Sequence, residues 1–373
     1  MAYKVLSLKW RPTSFEEVIG QDHITISLSN AIKLDRVAHA FTFSGPRGVG
    51  KTTTARILSK KLNSIKDLNE SLDIIEMDAA SNRGIDEIRN INDNVNFAPS
   101  HGKYKIYIID EVHMLTKEAF NALLKTLEEP PDHVVFILCT TESHKIPTTI
   151  LSRTQRYDFK RIQDSDIINQ LKKVLEDEKI NYEDRSLEVI AERSEGSMRD
   201  ALSLLDQMIC LCDNDLTLNV MKEHLGLVEE DKCLELLQLV GKKDTNKIFS
   251  VINEVLSKGV STDEFVKSFN KFLSKVILLS KEEKNNLSIN IKEIDLLRII
   301  DITLKFQGSL KNSIQPKIAF EALMLKLSYI DKMVDISKFI SNKKINIEKN
   351  EANDVLDDSK VVIESVKKND SKS

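Results

Sequence analysis

The stretch FTFSGPRGVGKTTTARIL, Phe41 to Leu58, decides the fold. Its first residues read as a short apolar strand, residues 45–52 fit the spacing G-x-x-x-x-G-K-[ST], and Ala55, Leu58 and Leu62 recur at helical intervals behind it. Strand, glycine-rich turn and helix in that order build a phosphate-binding loop. Backbone N–H groups can approach phosphate oxygens where side chains are small, and the helix start contributes its positive dipole end. Gly45, Pro46, Arg47, Gly48, Val49 and Gly50 would form the cradle, Lys51 would reach the β- and γ-phosphates, and the Thr52 hydroxyl would face Mg²⁺. At average residue usage a chance match in a chain of this length arises about once in a hundred.

Working outward, the first half alternates apolar runs with helical patterns. HAFTFSG, LDIIEMDAA, KIYIIDE and HVVFILCTT read as strands, and helices such as KEAFNALLKTLEE separate them. Continuous Val, Ile and Phe runs between helices predict an α/β domain with a parallel sheet covered on both faces. From about residue 162 the strands are expected to stop. DSDIINQLKKVLEDEKI opens with an Asp/Ser cap candidate, and a series of amphipathic helices follows. The predicted domains are a nucleotide-binding module over 1–161, an all-helical lid over 162–225 and an all-helical unit over 226–335. Residues 336–373, rich in Lys, Asn, Asp and Ser, lack the apolar surface for a core and read as a disordered tail.

Composition sets outer limits. In 373 residues, 30% are charged and only 6% aromatic, and the net charge is −4, so any nucleic-acid contact must come from a local basic patch. No apolar run approaches the ~20 residues of a membrane span. The opening MAYKVLSLKWRP lacks the apolar core of a signal peptide, and four cysteines suit a reducing compartment, so the expected location is the cytoplasm with no membrane contact.

Three further groups complete the expected site. Asp110, ending KIYIID, can hold Mg²⁺ together with Thr52, and Glu111 beside it is placed to polarise an attacking water, which separates hydrolysis from mere binding. Thr141 ends the next strand, where it can sense the γ-phosphate or orient water. Arg199, near the helix start in EGSMRDAL, can reach the phosphates from the lid. Arg153, in IPTTILSRTQRYDF, stands in a polar turn after that strand, and the residues alone leave open which site it serves.

With these residues in view, the chain resembles the tau/gamma family of bacterial DNA polymerase III clamp-loader subunits, which are AAA+ ATPases. The resemblance rests on KWRPTSFEEVIGQDH, AHAFTFSGPRGVGKTTTAR, MDAASNRGIDEIR, YKIYIIDEVHMLTKEAFNALLKTLEEPP, TTILSR and GSMRDALSLLDQ, and covers about residues 1–330. It implies an AAA+ module, a helical lid and a helical collar. It implies ATP with Mg²⁺ as cofactors, Arg11 and Thr53 as further nucleotide contacts, and ATP-driven loading of the sliding clamp onto primed DNA during replication. The implied partners are other clamp-loader subunits and copies of the same chain in a ring, the sliding clamp, primed DNA and single-stranded-DNA-binding machinery. Such a subunit belongs to the polymerase holoenzyme without itself polymerising nucleotides. The family's arginine at the place of Arg153 projects into a neighbouring subunit's ATP site, where a fixed guanidinium is generically worth ~10³–10⁵ in rate. Arg83 and Arg89 fall in the segment that faces duplex DNA in the family, although Gly84 stands where another basic residue is expected.

Two departures follow. The family's four-cysteine zinc module is missing, because KKLNSIKDLNESLDIIEMDAAS crosses the gap without a cysteine, so no zinc is expected. Thr154 replaces the usual cysteine beside Arg153 without changing charge. Two rival readings are a non-hydrolysing structural subunit, which the intact Lys51, Thr52, Asp110 and Glu111 disfavour, and a ring-shaped DNA motor, which would carry a compact DNA-binding domain in place of the collar.

Overall fold

The ordered elements of the first unit run α1 (Leu6–Lys9), α2 (Asp22–Lys33), β1 (Ala40–Ser44), α3 (Lys51–Asn63), β2 (Ile74–Asp78), α4 (Ile85–Val95), β3 (Lys105–Asp110), α5 (Lys117–Glu128), β4 (Val134–Thr140), α6 (Thr148–Leu151) and β5 (Gln155–Asp158). They are followed by α7 (Asp164–Glu178), β6 (Asn181–Tyr182), α8 (Asp184–Arg193), α9 (Met198–Ile209), β7 (Asp215–Leu216) and α10 (Leu218–Leu225). The computed structural model describes residues 4–65, 71–212, 215–226, 228–289, 291–310 and 312–330. The expected tail over 336–373 and residues 66–70 of the cysteine-free crossing lie outside the described residues.

The sheet has the order β2-β3-β4-β1-β5, and every pairing is parallel. Side chains of a strand alternate between faces, and the core divides accordingly. Phe41, Phe43, Ile106, Ile108, Val135 and Ile137 pack on one face with α2 and α3, through Ile24, Leu28, Ala55 and Leu58. Ala40, Tyr107, Ile109, Phe136 and Leu138 pack on the other with α4 and α5, through Ile88, Ile91, Leu123 and Leu127. Each fully buried Ile or Phe contributes about 1.5–3 kcal/mol relative to exposure. This order places β4 between β1 and β3, so the phosphate loop, Thr141 and Asp110 leave three neighbouring strands at the same edge.

The structure adds a strand the periodicity did not indicate. Gln155–Asp158 pairs with β1 immediately after Arg153, and of its four residues only Tyr157 is buried. Thr154 precedes it and accepts a 2.7 Å hydrogen bond from Thr42 Oγ1, a hydroxyl with no exposure. Thr154 is therefore an acceptor for a buried donor on β1. Among the described residues beyond 162 the only strands are the short parallel pair β6–β7. At α7 the cap residue is Gln163, without a side-chain bond, while Asp164 and Asp166 lie in the first turn, where carboxylates favour the helix's positive end. At α9 the Ser197 side chain does cap, accepting from Asp200 N at 3.2 Å.

Contacts divide the chain into Met1–Met221 and Lys222–Ser373. The second unit contains α11 (Glu230–Lys242), α12 (Thr245–Ser257), α13 (Thr262–Leu278), α14 (Lys281–Asn286), α15 (Glu293–Leu310) and α16 (Pro316–Ser328). It has its own core, including Leu236, Ile252, Phe265, Phe269, Ile299 and Phe320, with the Phe265 and Phe320 rings 5.1 Å apart.

Candidate nucleotide site

The loop between β1 and α3 is held by its glycines. Gly45 has φ 143°, and a Cβ there would lie 2.4 Å from the Phe159 carbonyl oxygen. Gly48 has φ 74°, and its Cβ would lie 2.0 Å from Ser197 Oγ and 3.2 Å from Arg199 Cβ. The Arg199 N–H also donates to the Gly48 carbonyl, at 3.4 Å. The start of α9 therefore rests on the crest of the loop, and no larger residue leaves room for it.

Lys51, 6% exposed, donates from Nζ to the Gly45 and Pro46 carbonyls at 2.9 and 2.7 Å. Burial pulls its pKa below the ordinary lysine value. Thr52 Oγ1 donates to Asp110 Oδ2 at 2.8 Å, so the first turn of α3 and the end of β3 meet directly. Thr53 Oγ1 accepts from Arg11 Nε at 3.1 Å. Burial, and then the nearby Arg56 charge, lower the Arg11 pKa.

Glu111 follows Asp110 with φ 47°, a left-handed backbone uncommon for a residue with a side chain. Its N–H donates to Asp110 Oδ1 at 3.0 Å. Its Oε2 accepts from Thr141 N–H at 3.3 Å and from Thr141 Oγ1 at 3.1 Å. The mostly buried His113 ring lies between two carboxylates, with Nδ1 3.3 Å from Glu111 Oε2 and Nε2 3.5 Å from Glu142 Oε2. Nδ1 is also 3.1 Å from Thr140 Oγ1. Lys145 pairs with Glu142 and holds that carboxyl below its usual range.

Lys51, Thr52, Thr53, Asp110 and Glu111 border a cavity of about 530 Å³. Residues 47–53, Arg11, Asp110, Glu111 and Arg199 line its polar part, and Trp10, Ile19, Ile162, Met198 and Leu202 its apolar part. Cations and backbone N–H groups together with apolar side chains in one cavity suit a phosphorylated ligand that also carries an apolar part.

Gly45, Pro46 and Thr141 do not line the cavity, Thr141 meeting it only through Glu111, and Arg153, Arg83 and Arg89 lie away from it. Arg153 follows α6, with Nη1 donating to Thr149 O at 2.8 Å and to Ser152 Oγ at 3.2 Å, and Nη2 to Glu128 Oε1 at 2.6 Å. Arg83 Nε donates to Ala80 O, and Arg89 Nη1 to Asp86 Oδ1, both on the exposed surface before and along α4. Among the described residues no group of three or more His, Cys, Asp or Glu is placed to hold a metal ion. None of the four cysteines is in a disulfide, and burial pushes the Cys139 thiol well up.

The sequence reading missed Arg56, which lines the cavity and forms a two-pronged pair with Glu76 at 2.7 and 2.6 Å. Its position one helical turn after Thr52 was the available signal. His113, two residues after Glu111, carried no signal in its spacing. Asp73 was also missed: its carboxylate accepts N–H bonds from Ser100, His101 and Gly102 at 2.6–2.7 Å and ties the loop before β3 to the start of β2.

Two family profiles match. The one described as DNA polymerase III, delta subunit, covers residues 20–163, and that of the DNA polymerase III clamp loader subunit, ATPase lid domain, covers residues 166–214. DNA polymerase III subunit tau of Bacillus subtilis is 42% identical over 88% of this chain and 63% of its own length. The tau subunit of Escherichia coli is 38% identical over 82% and 51%. The chain thus spans between half and two-thirds of these tau subunits. Subunit gamma of Buchnera aphidicola subsp. Schizaphis graminum is 37% identical over 82% of this chain and 89% of its own length. Among solved structures, the Thermotoga maritima RuvB Holliday junction branch migration motor is a distant likeness, 20% identical over 76% of this chain and 99% of that one, with a TM-score of 0.49. By its agreement with relatives it covers almost end to end, the chain belongs to the family of DNA polymerase III tau and gamma subunits.

Proposed function

We propose that this chain is an ATP-hydrolysing subunit of a clamp loader, which uses ATP binding to open the sliding clamp and hydrolysis to release it on primed DNA. The observation that carries this reading is the 2.8 Å bond from Thr52 to Asp110, with Glu111 next in the chain. It joins the phosphate loop to the acidic strand end, the two halves that hydrolysis needs in one place.

In this reading residues 45–53 cradle the phosphates, Lys51 leaves its two carbonyls for the β- and γ-phosphates, and Arg11 and Arg199 approach from the N-terminal segment and the lid. Thr52 and Asp110 would hold Mg²⁺, which neutralises phosphate charge when bound. Glu111 accepts a proton from the attacking water after leaving Thr141, and Thr141 then faces the γ-phosphate. Arg153 serves the site of an adjacent subunit. Arg83 and Arg89 contact DNA phosphates. Residues 1–161 form the nucleotide module, 162–225 the lid and 226–335 the collar. The partners are other clamp-loader subunits, further copies of this chain, the clamp and primed DNA in the cytoplasm.

Single-turnover hydrolysis in the assembled complex tests this. Primed DNA with clamp is expected to accelerate the step well beyond bare duplex. Equal rates would point to a DNA motor, and no hydrolysis with intact ATP binding would point to a structural subunit. Elemental analysis is expected to find no stoichiometric zinc.

A further inference from the structure

Arg153 is exposed, yet its guanidinium is not free. Its backbone N–H donates to Ile150 O, and three side-chain bonds go to Thr149 O, Ser152 Oγ and Glu128 Oε1. The first two acceptors belong to its own turn, whereas Glu128 is the last residue of α5 and lies 25 positions earlier in the chain. α6, which ends two residues before Arg153, and α5, which ends at Glu128, share one buried core that includes Ile150, Leu123 and Leu127.

The Arg153 and Glu128 side chains are 34% and 49% exposed, and such pairs add little to folding stability. What the pair does fix is orientation. An arginine has four freely rotating side-chain bonds, and a guanidinium that must meet a phosphoryl group on another molecule loses that freedom on contact. Holding it beforehand removes most of this cost from the reacting complex.

We propose that Glu128 is a positioning residue for Arg153, which presents the guanidinium in a set orientation to the neighbouring subunit's nucleotide. This rests on the reading that Arg153 acts in an adjacent site. Glu128 lies outside the cavity lining of its own chain and acts through the arginine.

The test uses the complete complex with primed DNA and clamp, measuring kcat and KM for ATP in Arg153→Ala, Glu128→Ala, Glu128→Gln and the Arg153→Ala/Glu128→Ala double variant. Arg153→Ala is expected to abolish stimulated turnover. Glu128→Ala is expected to lower kcat about ten-fold with KM unchanged, as misorientation of a catalytic group does. Glu128→Gln, nearly the same shape and still an acceptor, should recover to within about three-fold of the parent, since only the charge assistance is lost. The double variant should be no slower than Arg153→Ala. Full turnover by Arg153→Ala overturns the adjacent-site reading and this proposal with it. An inactive Arg153→Ala beside Glu128→Ala at or above the parental rate overturns the proposal alone, as does extra loss in the double variant. If Glu128→Ala does not assemble, Glu128→Leu, which keeps bulk without an acceptor, decides: a parental kcat rejects the proposal and a reduced kcat at unchanged KM supports it.

Discussion

Lys51 is a buried cation whose partners are two carbonyls, Gly45 and Pro46, with no carboxylate in contact. Burial disfavours its charged form, a conflict that a triphosphate relieves. Lys51→Met is therefore expected to melt no lower than the parent without nucleotide and to gain nothing when ATP is added. The parent should gain about 2.7 kcal/mol at a ligand concentration of 100 times Kd. Differential scanning fluorimetry with and without ATP checks both halves. Glu111→Gln should keep that stabilisation and lose turnover, because shape is kept while proton acceptance is lost; parental hydrolysis by this variant would refute the assignment. At this scale the sequence was readable wherever spacing forces chemistry. Lys51, Thr52, Asp110 and Glu111 stand at strand and helix ends whose positions a loop of fixed length dictates. Arg56 offered only its place one turn after Thr52, and His113 and Asp73 were not readable, because their roles depend on which side chains the folded sheet brings within 3.5 Å.

The element that governs the site is α9, whose start lies on the phosphate loop. Gly48→Ala places a methyl group where Ser197 Oγ now lies and adds left-handed strain at φ 74°. Ser197 would have to leave its capping bond to Asp200, which is worth about 1 kcal/mol at a typical N-cap. The expected cost is about 2 kcal/mol of stability from cap and strain together, with weaker ATP binding. Chemical denaturation and nucleotide titration measure both, and an unchanged midpoint would contradict the close contact. The central strands were legible because they are buried on both faces and read as unbroken Val, Ile and Phe runs. β5 was not, since the edge strand QRYD is too short and too polar to show a period, and its pairing with β1 follows from tertiary position. β6 and β7 are two residues each, below the length at which alternation exists.

At the scale of the molecule, two separate cores imply two separable stabilities. The phenylalanine-rich cluster of the second unit lies wholly within residues 233–330, so calorimetry is expected to resolve two transitions, and ATP should raise only the one that belongs to the first unit. A single transition shifted as a whole by ATP would contradict this. Assembly is the larger question. Mixing Arg153→Ala chains with Lys51→Ala chains should restore part of the hydrolysis wherever an intact loop faces an intact arginine. Verified mixed complexes that remain as inactive as either parent would sink the adjacent-site role. The division into a sheet-bearing part and a helical part was legible from the change in period near residue 162. What one chain presents to the next was not, because it is a property of surfaces rather than of periodicity.

The left-handed backbone of Glu111 has a consequence for inheritance. A residue with a Cβ at φ 47° carries about 1 kcal/mol of strain that glycine does not. Glycine's greater freedom in the unfolded chain offsets about 0.5–1 kcal/mol of that relief. Replacing Glu111 by glycine should therefore leave the fold as stable as before while ending hydrolysis. Selection for folding alone would not defend this carboxylate, and a single substitution in a duplicated copy would leave a well-folded chain without its hydrolytic carboxylate.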